Sequence, residues 1–249
     1  MIVLFTDFGL EGPYLGQVRA VLHRAAPGVP VVDLFSDLPP FDPGAAAYLL
    51  PAYGGEPFPE GTVVLAVVDP GVGTDRAPLV AQAGGRWFVG PDNGVLSRVI
   101  AQDPEARAWR VIWRPDRLSA SFHGRDLFAP VAAALASGGR PGDGTPPLLC
   151  EHIAPPTLVG ADWPPDRAAV VYVDRYGNAM TGLRADALHP QAVLVAGGRR
   201  IRRAATFGQV PVGEVLWYAN ANGLVEIACN SASAAEVLGM RVGSPVAVE

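Results

Sequence analysis

Two cysteines in 249 residues, Cys150 and Cys229, are too few for a disulfide framework and form no CxxC pair. Both are expected to be buried free thiols. The four histidines, His23, His123, His152 and His189, lack HxxxH or HExxH spacing, so no metal site is expected. A net charge of −5, with no Lys/Arg run and no aromatic-basic stripe, sets nucleic acid aside as a partner. No apolar stretch reaches the roughly 18–20 residues that span a bilayer. The opening MIVLFTDFG has a short apolar run and no basic lead, so it reads as a strand rather than a signal peptide. A cytoplasmic protein without a membrane partner is the expectation. The phosphate-binding pattern GxxxxGK[ST] is missing, Gly9, Gly12 and Gly16 miss the GxGxxG spacing, and no GxSxG nucleophile elbow occurs. A ligand held by its phosphates and an α/β-hydrolase serine are thereby excluded.

What is present describes an ordinary globular chain: 49% hydrophobic and 17% charged residues argue against disorder, and 25 prolines with 29 glycines indicate many defined turns. Residues 1–150 alternate short apolar runs with amphipathic stretches. Strands are predicted at 2–5, 29–34, 63–68 and 87–90, and helices at 14–25, from 43 to 50, at 96–101 and at 127–136. Such alternation predicts an α/β N-terminal domain with a mainly parallel sheet covered by helices. Residues 151–165 fall within a Pro/Gly-rich stretch and read as a linker. Residues 166–249 change texture, with β-like runs at 168–173, 192–196, 215–218, 224–228 and 245–248 separated by Gly- and Asn-rich turns. A small all-β, barrel-like C-terminal domain is predicted.

Four polar clusters adjoin the apolar runs: Thr6-Asp7-Phe8-Gly9, Asp69 to Arg76, Gly90-Pro91-Asp92-Asn93-Gly94, and Phe122-His123-Gly124-Arg125-Asp126. The first three follow predicted strands. In a parallel sheet they share one edge, where open α/β sheets bind ligands. Asp69 ends the apolar run 63–68, Pro70 stops the ladder, and Gly71 and Gly73 permit positive φ and close approach to the backbone. Asp69, Arg76 and His123 could form a general-base system, with the guanidinium keeping the carboxylate ionised. They could equally be a turn-capping aspartate, its surface arginine and a helix-start histidine, since Asp-Pro-Gly is a common turn.

Five segments carry a family likeness: TDFGLEGPYLGQVRAVL, PPFDPGAAAYLL, VVDPGVGTDR, VGPDNGVL and FHGRDLFAPVAA. With DRYGNAMTGL and NANGLVEIACNSASAAEVLG they resemble, in order and over nearly the whole chain, the S-adenosylmethionine hydroxide adenosyltransferases. That family is related to the S-adenosylmethionine-dependent fluorinase and chlorinase. The resemblance implies hydrolysis of S-adenosylmethionine to adenosine and methionine by attack of water or hydroxide at ribose C5′. S-adenosylmethionine is then the substrate, and no cofactor is expected. Asp69, Arg76 and His123 match the family's Asp-Arg-His triad. Asp7 matches the carboxylate that accepts the ribose hydroxyls, and Phe41 falls where the halogenases place a tryptophan beside the sugar. Asn93 and Gly124 lie in matching motifs and join the substrate-binding candidates. In the second domain, Asp174 is implied to meet the methionine ammonium, Asn178 and the Ser231 region to meet adenine, and Tyr176 and Phe207 to offer aromatic surfaces. Asn222 and Glu226 lie in the matching turn and strand. A homotrimer is implied, with sites between the first domain of one subunit and the second domain of the next.

Two departures stand out. Asn220-Ala221-Asn222-Gly223 replaces the family's frequent Asn-Ser-Asn-Gly, removing a hydroxyl expected on the methionine carboxylate. Asp33-Leu34-Phe35-Ser36 stands where DITH is common. Three other readings fit parts of the same pattern. A halogenase is disfavoured by Asp69, because an ionised carboxylate repels a halide in a poorly solvated pocket. A non-catalytic nucleoside-binding protein would keep the pocket without turnover. A metal-dependent phosphohydrolase built on Asp7, Asp69, Asp92 and His123 lacks paired metal-ligand motifs.

Overall fold

The computed structural model describes residues 1–55 and 57–249, which divide into two compact units, Met1–Trp163 and Pro164–Glu249. In the first unit the chain runs β1 (Ile2–Thr6), α1 (Tyr14–Ala25), β2 (Val31–Phe35), α2 (Pro43–Tyr53), β3 (Val63–Val67), β4 (Pro78–Ala83) and β5 (Arg86–Pro91). It continues with α3 (Ser97–Ala101), β6 (Arg107–Val111), a π-helical turn (Gly124–Phe128), α4 (Ala129–Ala136) and β7 (Cys150–Ile153). The seven strands form one sheet in the order β2-β1-β3-β5-β4-β6-β7.

Strands β2, β1, β3 and β5 are mutually parallel, whereas β4, β6 and β7 extend the sheet antiparallel. The sheet is therefore mixed. Every residue of β1 and β3 is buried, as continuous apolar runs in a doubly covered sheet should be. Alternate residues Ile2, Leu4, Val63, Leu65 and Val67 join a core with Leu15, Val18 and Leu22 of α1 and Val131, Ala132 and Leu135 of α4. Helix α2 begins with Asp42 accepting the Ala45 N–H at 2.8 Å and with Pro43 in its first turn, a strong N-terminal stop.

Three strands absent from the sequence prediction of the first sheet, β4, β6 and β7, make up its antiparallel part. The hairpin β4–β5 turns on Gly84 and Gly85, both at positive φ. Residues 150–153 of the Pro/Gly-rich region pair with β6 as strand β7, and the region through Trp163 lies in the first unit.

The second unit contains β8 (Arg167–Val173), β9 (Ala179–Arg184), β10 (Leu194–Ala196), β11 (Arg199–Ile201), β12 (Val215–Ala219), β13 (Leu224–Cys229), a short α5 (Ala234–Leu238) and β14 (Ala247–Val248). They form two antiparallel sheets, β12-β13-β9-β8 and β11-β10-β14. Where a barrel-like domain was expected, the ladder does not close. Isolated bridges, Ala169 with Pro245 and Arg203 with Trp217, tie strands of the larger sheet to residues flanking the smaller one, and no ladder joins the two sheets among the described residues. Strands of two or three residues in the smaller sheet are too short to supply a continuous seam. Trp217 fills the core between Val170, Leu194, Ile201 and Ile227, and its Nε1–H donates to the Ala192 carbonyl at 3.0 Å.

Candidate active site

Because β1, β3 and β5 run parallel, Asp7, Asp69 and Asp92 leave the sheet at the same edge. The loop after β3 is a pair of tight turns: the Val72 N–H donates to the Asp69 carbonyl at 3.2 Å, and the Thr74 N–H to that of Gly71 at 3.2 Å. Gly73 sits at φ 81°, and a Cβ there would lie 2.5 Å from the Ala120 carbonyl oxygen. Only glycine fits. From β5, Asn93 donates its amide to the Val68 carbonyl at 2.8 Å and accepts the Val95 N–H at 3.2 Å, holding the loop from the neighbouring strand.

This loop aims Arg76 back at Asp69. The guanidinium Nε donates to Asp69 Oδ1 at 3.1 Å and Nη2 to Oδ2, a two-pronged pair whose side chains are 7% and 6% exposed. The same Nη2 lies 3.3 Å from His123 Nδ1, and the guanidinium rests 5.1 Å from the centre of the Phe128 ring. The triad residues predicted from sequence thus form one cluster. His123 opens the helix that continues through the π-helical turn into α4. Pro130 has no N–H to give an α-helical bond, and the wider turn, with the Ala129 N–H on the Gly124 carbonyl, accommodates it.

Electrostatics set the resting state of the cluster. Burial raises the Asp69 carboxyl above its ordinary value, opposed by the Arg76 charge and its hydrogen bonds. Burial, followed by the Arg76 charge, lowers His123 and favours neutral imidazole. Asp7 is raised by burial, with the Asp69 charge adding to the effect. Its Oδ2 accepts the Phe41 N–H at 3.2 Å. Phe41 itself is 76% exposed at φ 62°, so its ring stands clear of the core on a strained backbone.

Other members of the polar clusters are engaged elsewhere. Arg125 and Asp126 pair with each other, and Asp126 also accepts the Ser119 N–H at 2.9 Å. Asp92 accepts the Val159 N–H at 3.0 Å. Gly124 is buried, and a Cβ there would come within 2.8 Å of the Phe8 ring, which meets Phe122 edge-on at 5.9 Å. Among the described residues no group of three or more His, Cys, Asp or Glu is placed to hold a metal ion, and no helix is long and apolar enough to cross a membrane. Cys229 is buried and Cys150 only half-buried, and both are free. Burial pushes the Cys150 thiol up to about 11.

A second concavity belongs to the second unit. It measures about 630 Å³ and is lined by Asp174, Tyr176, Asn178, Phe207, Ser231 and, unforeseen in the sequence, Tyr218, Cys229 and Ser233. Asp174 organises the turn beneath it, with Oδ1 accepting the N–H groups of Tyr176 and Asn178 at 2.8 and 2.9 Å, and Oδ2 the Asn178 amide at 3.0 Å. Tyr218 meets Phe207 at 5.5 Å. Ser231 is at φ 61°, and with Phe41 it makes up the non-glycine residues at positive φ among those described.

Glu226 and Asn222 lie outside that lining. Glu226 is 4% exposed, and its oxygens are held by the Tyr218 hydroxyl and, at 3.0 Å, by the Asn220 amide. Asn222 donates its N–H to Asn220 Oδ1 at 3.0 Å. The aromatic alternation of β12 was the available sign that Tyr218 would face away from buried Trp217.

A part-buried carboxylate–guanidinium–imidazole cluster on a sheet edge of the first unit, and an aromatic-walled polar pocket on the second, define an α/β unit followed by a β unit, each with a candidate ligand surface. Comparison with known families narrows this. Residues 2–144 match the SAM hydroxide adenosyltransferase N-terminal domain and residues 168–247 the C-terminal domain of the same family, and the chain belongs to it. It is 43% identical to an (R)-S-adenosyl-L-methionine hydrolase from Thermus thermophilus over 98% of each chain. A fluorinase from Actinopolyspora mzabensis is 24% identical over 100% of this chain and 96% of its own. The crystal structure of an uncharacterized conserved protein from Thermotoga maritima superposes with a TM-score of 0.86 at 31% identity, covering 100% of this chain and 99% of that one.

Proposed function

We propose that the protein hydrolyses S-adenosyl-L-methionine to adenosine and L-methionine, acting on the (R)-sulfonium epimer for which its hydrolase relatives are named. The observation that carries this reading is the joining of Asp69, Arg76 and His123 into one part-buried cluster at the sheet edge. Water attacks ribose C5′, the C5′–S bond breaks, and its electron pair leaves with sulfur as a neutral thioether. No acid is needed for that leaving group, and no cofactor is invoked. The demand on the protein is to hold one water in line and accept its proton.

In this reading Asp7 accepts the ribose hydroxyls and Phe41 packs against the sugar. Asp174 meets the methionine ammonium, Asn178 and Ser231 meet adenine, and Tyr176 and Phe207 flank the nucleoside. Asn93 and Gly124 act by shaping the backbone around the cluster, and Glu226 and Asn222 through Tyr218 and Asn220. We place the protein in the cytoplasm as a homotrimer in which these two sets of residues serve one substrate across subunits. The buried negative charge of Asp69 favours water over a halide ion as nucleophile. Incubation with each sulfonium epimer in fluoride- and chloride-containing buffer is the test. Adenosine and methionine in equal amounts are expected. Release of 5′-halo-adenosine, or binding without turnover, contradicts the reading.

A further inference from the structure

Arginine carries only donors, so the contact between Arg76 Nη2 and His123 Nδ1 exists only when Nδ1 offers its lone pair. The neutral imidazole must then carry its proton on Nε2. That nitrogen meets no hydrogen-bond partner among the described residues, and His123 is part-exposed. Meanwhile Arg76 is almost fully committed. Nε and Nη2 hold both oxygens of Asp69, the second Nη2 hydrogen serves His123, and Nη1 reaches the Ala77 carbonyl at 3.4 Å.

We infer that His123 serves the hydrolysis as a hydrogen-bond donor, its Nε2–H holding the oxygen of the attacking water, while Asp69 takes the proton and Arg76 is a positioning residue that fixes the imidazole tautomer. This rests on the hydrolase reading given above. As the water oxygen bonds to C5′, one O–H bond breaks and its proton passes to a carboxylate oxygen of Asp69. The C5′–S pair goes to sulfur, and Asp69 later returns the proton to solvent. Arg76 faces one lone pair on each Asp69 oxygen and the Gly71 N–H takes a further one, so the proton goes to the oxygen that Gly71 does not reach, through its remaining lone pair.

A proton on Nδ1 would set imidazolium against guanidinium at 3.3 Å and abolish the contact. Within the cluster His123 also feels Asp69, Arg114 and Asp126, and Asp69 feels Arg76 and His123, with the Asp7 carboxylate close enough to interact. His123 acting as base would require the other tautomer, with a free lone pair on Nε2. The arginine excludes it.

Two measurements test this. Long-range 15N–1H correlation of histidine-labelled protein without substrate reads the tautomer directly, whatever the enzyme's activity. Protonated Nε2 and unprotonated Nδ1 are expected for His123 above pH 7, and an Nδ1–H tautomer overturns the inference. The second compares His123→Gln, whose amide nitrogen places a donor near Nε2 but cannot act as a base, with His123→Ala. Loss of the group that positions the attacking water costs about 10²-fold in turnover. His123→Gln is expected to recover about tenfold of that loss. Equal inactivity of the two variants overturns the donor role. A wild-type protein that releases no adenosine contradicts the hydrolase reading and leaves the tautomer to be judged by the spectrum.

Discussion

Asp69 and Arg76 are nearly sealed from solvent, so each depends on the other to neutralise its charge. Removing one partner of such a pair costs about 3–5 kcal/mol. Arg76→Met should lose that much stability in denaturant unfolding and also free His123 from its tautomer. Asp69→Asn should lower turnover by about 10²–10⁴-fold, the range for a general base, in single-turnover adenosine release. Acidification acts on the same residues in one direction. In the mechanism we propose, turnover needs Asp69 ionised and His123 neutral, and both conditions fail as pH falls. Burial holds His123 below its ordinary value of 6.5 and lifts Asp69 above its ordinary 3.8, so in His123→Gln, where Asp69 alone sets the acidic limb, the midpoint of the residual rate should lie above pH 3.8. A midpoint at or below 3.8 would contradict the burial argument. Phe41 offers a different separation. Replacing it by glycine relieves a left-handed backbone worth about 1 kcal/mol or more, so stability should hold or rise while KM increases.

At the level of elements, the edge that carries the cluster was readable because β1 and β3 are continuous apolar runs ending in aspartates. Their parallel pairing follows from burial on both faces. Strand β4 is hard to read from sequence although Gly84-Gly85 marks a two-residue hairpin. Its PLVAQA sequence has little β-branched character, and pairing on both sides holds it in the sheet. Strand β11, Arg199–Ile201, was hidden likewise beside Gly197-Gly198, its arginines pointing to solvent. The triad was visible as residue types, yet no local pattern shows that Arg76 would reach His123 across 47 positions rather than Asp126 reaching it from three away. Tertiary placement decides that. The loop after β3 depends on its neighbour: Asn93→Ala leaves the Val68 carbonyl and the Val95 N–H without their partner and should cost about 1–3 kcal/mol by thermal or denaturant unfolding. A stability unchanged by this substitution would show that water replaces the amide.

For the whole molecule, an α/β part is distinguished from a β part in the sequence because the period of its apolar residues changes, and the chain passes from one compact unit to the other after Trp163. Closure of the second unit was beyond its reach, since strand length in the smaller sheet, not composition, leaves the ladder open. The candidate residues fall into two sets, one in each unit, and the trimer we propose is what would let them act on one molecule. Diluting the protein below its association range should therefore abolish turnover together with the trimer seen by light scattering. Activity that persists in a monomer would remove the trimer from the account. The most direct measurement is hydrolysis in 18O-labelled water followed by mass spectrometry of both products. Attack at C5′ predicts one label in the adenosine 5′-hydroxyl and none in methionine, whereas label appearing in an amino-acid product, or in neither, would contradict it.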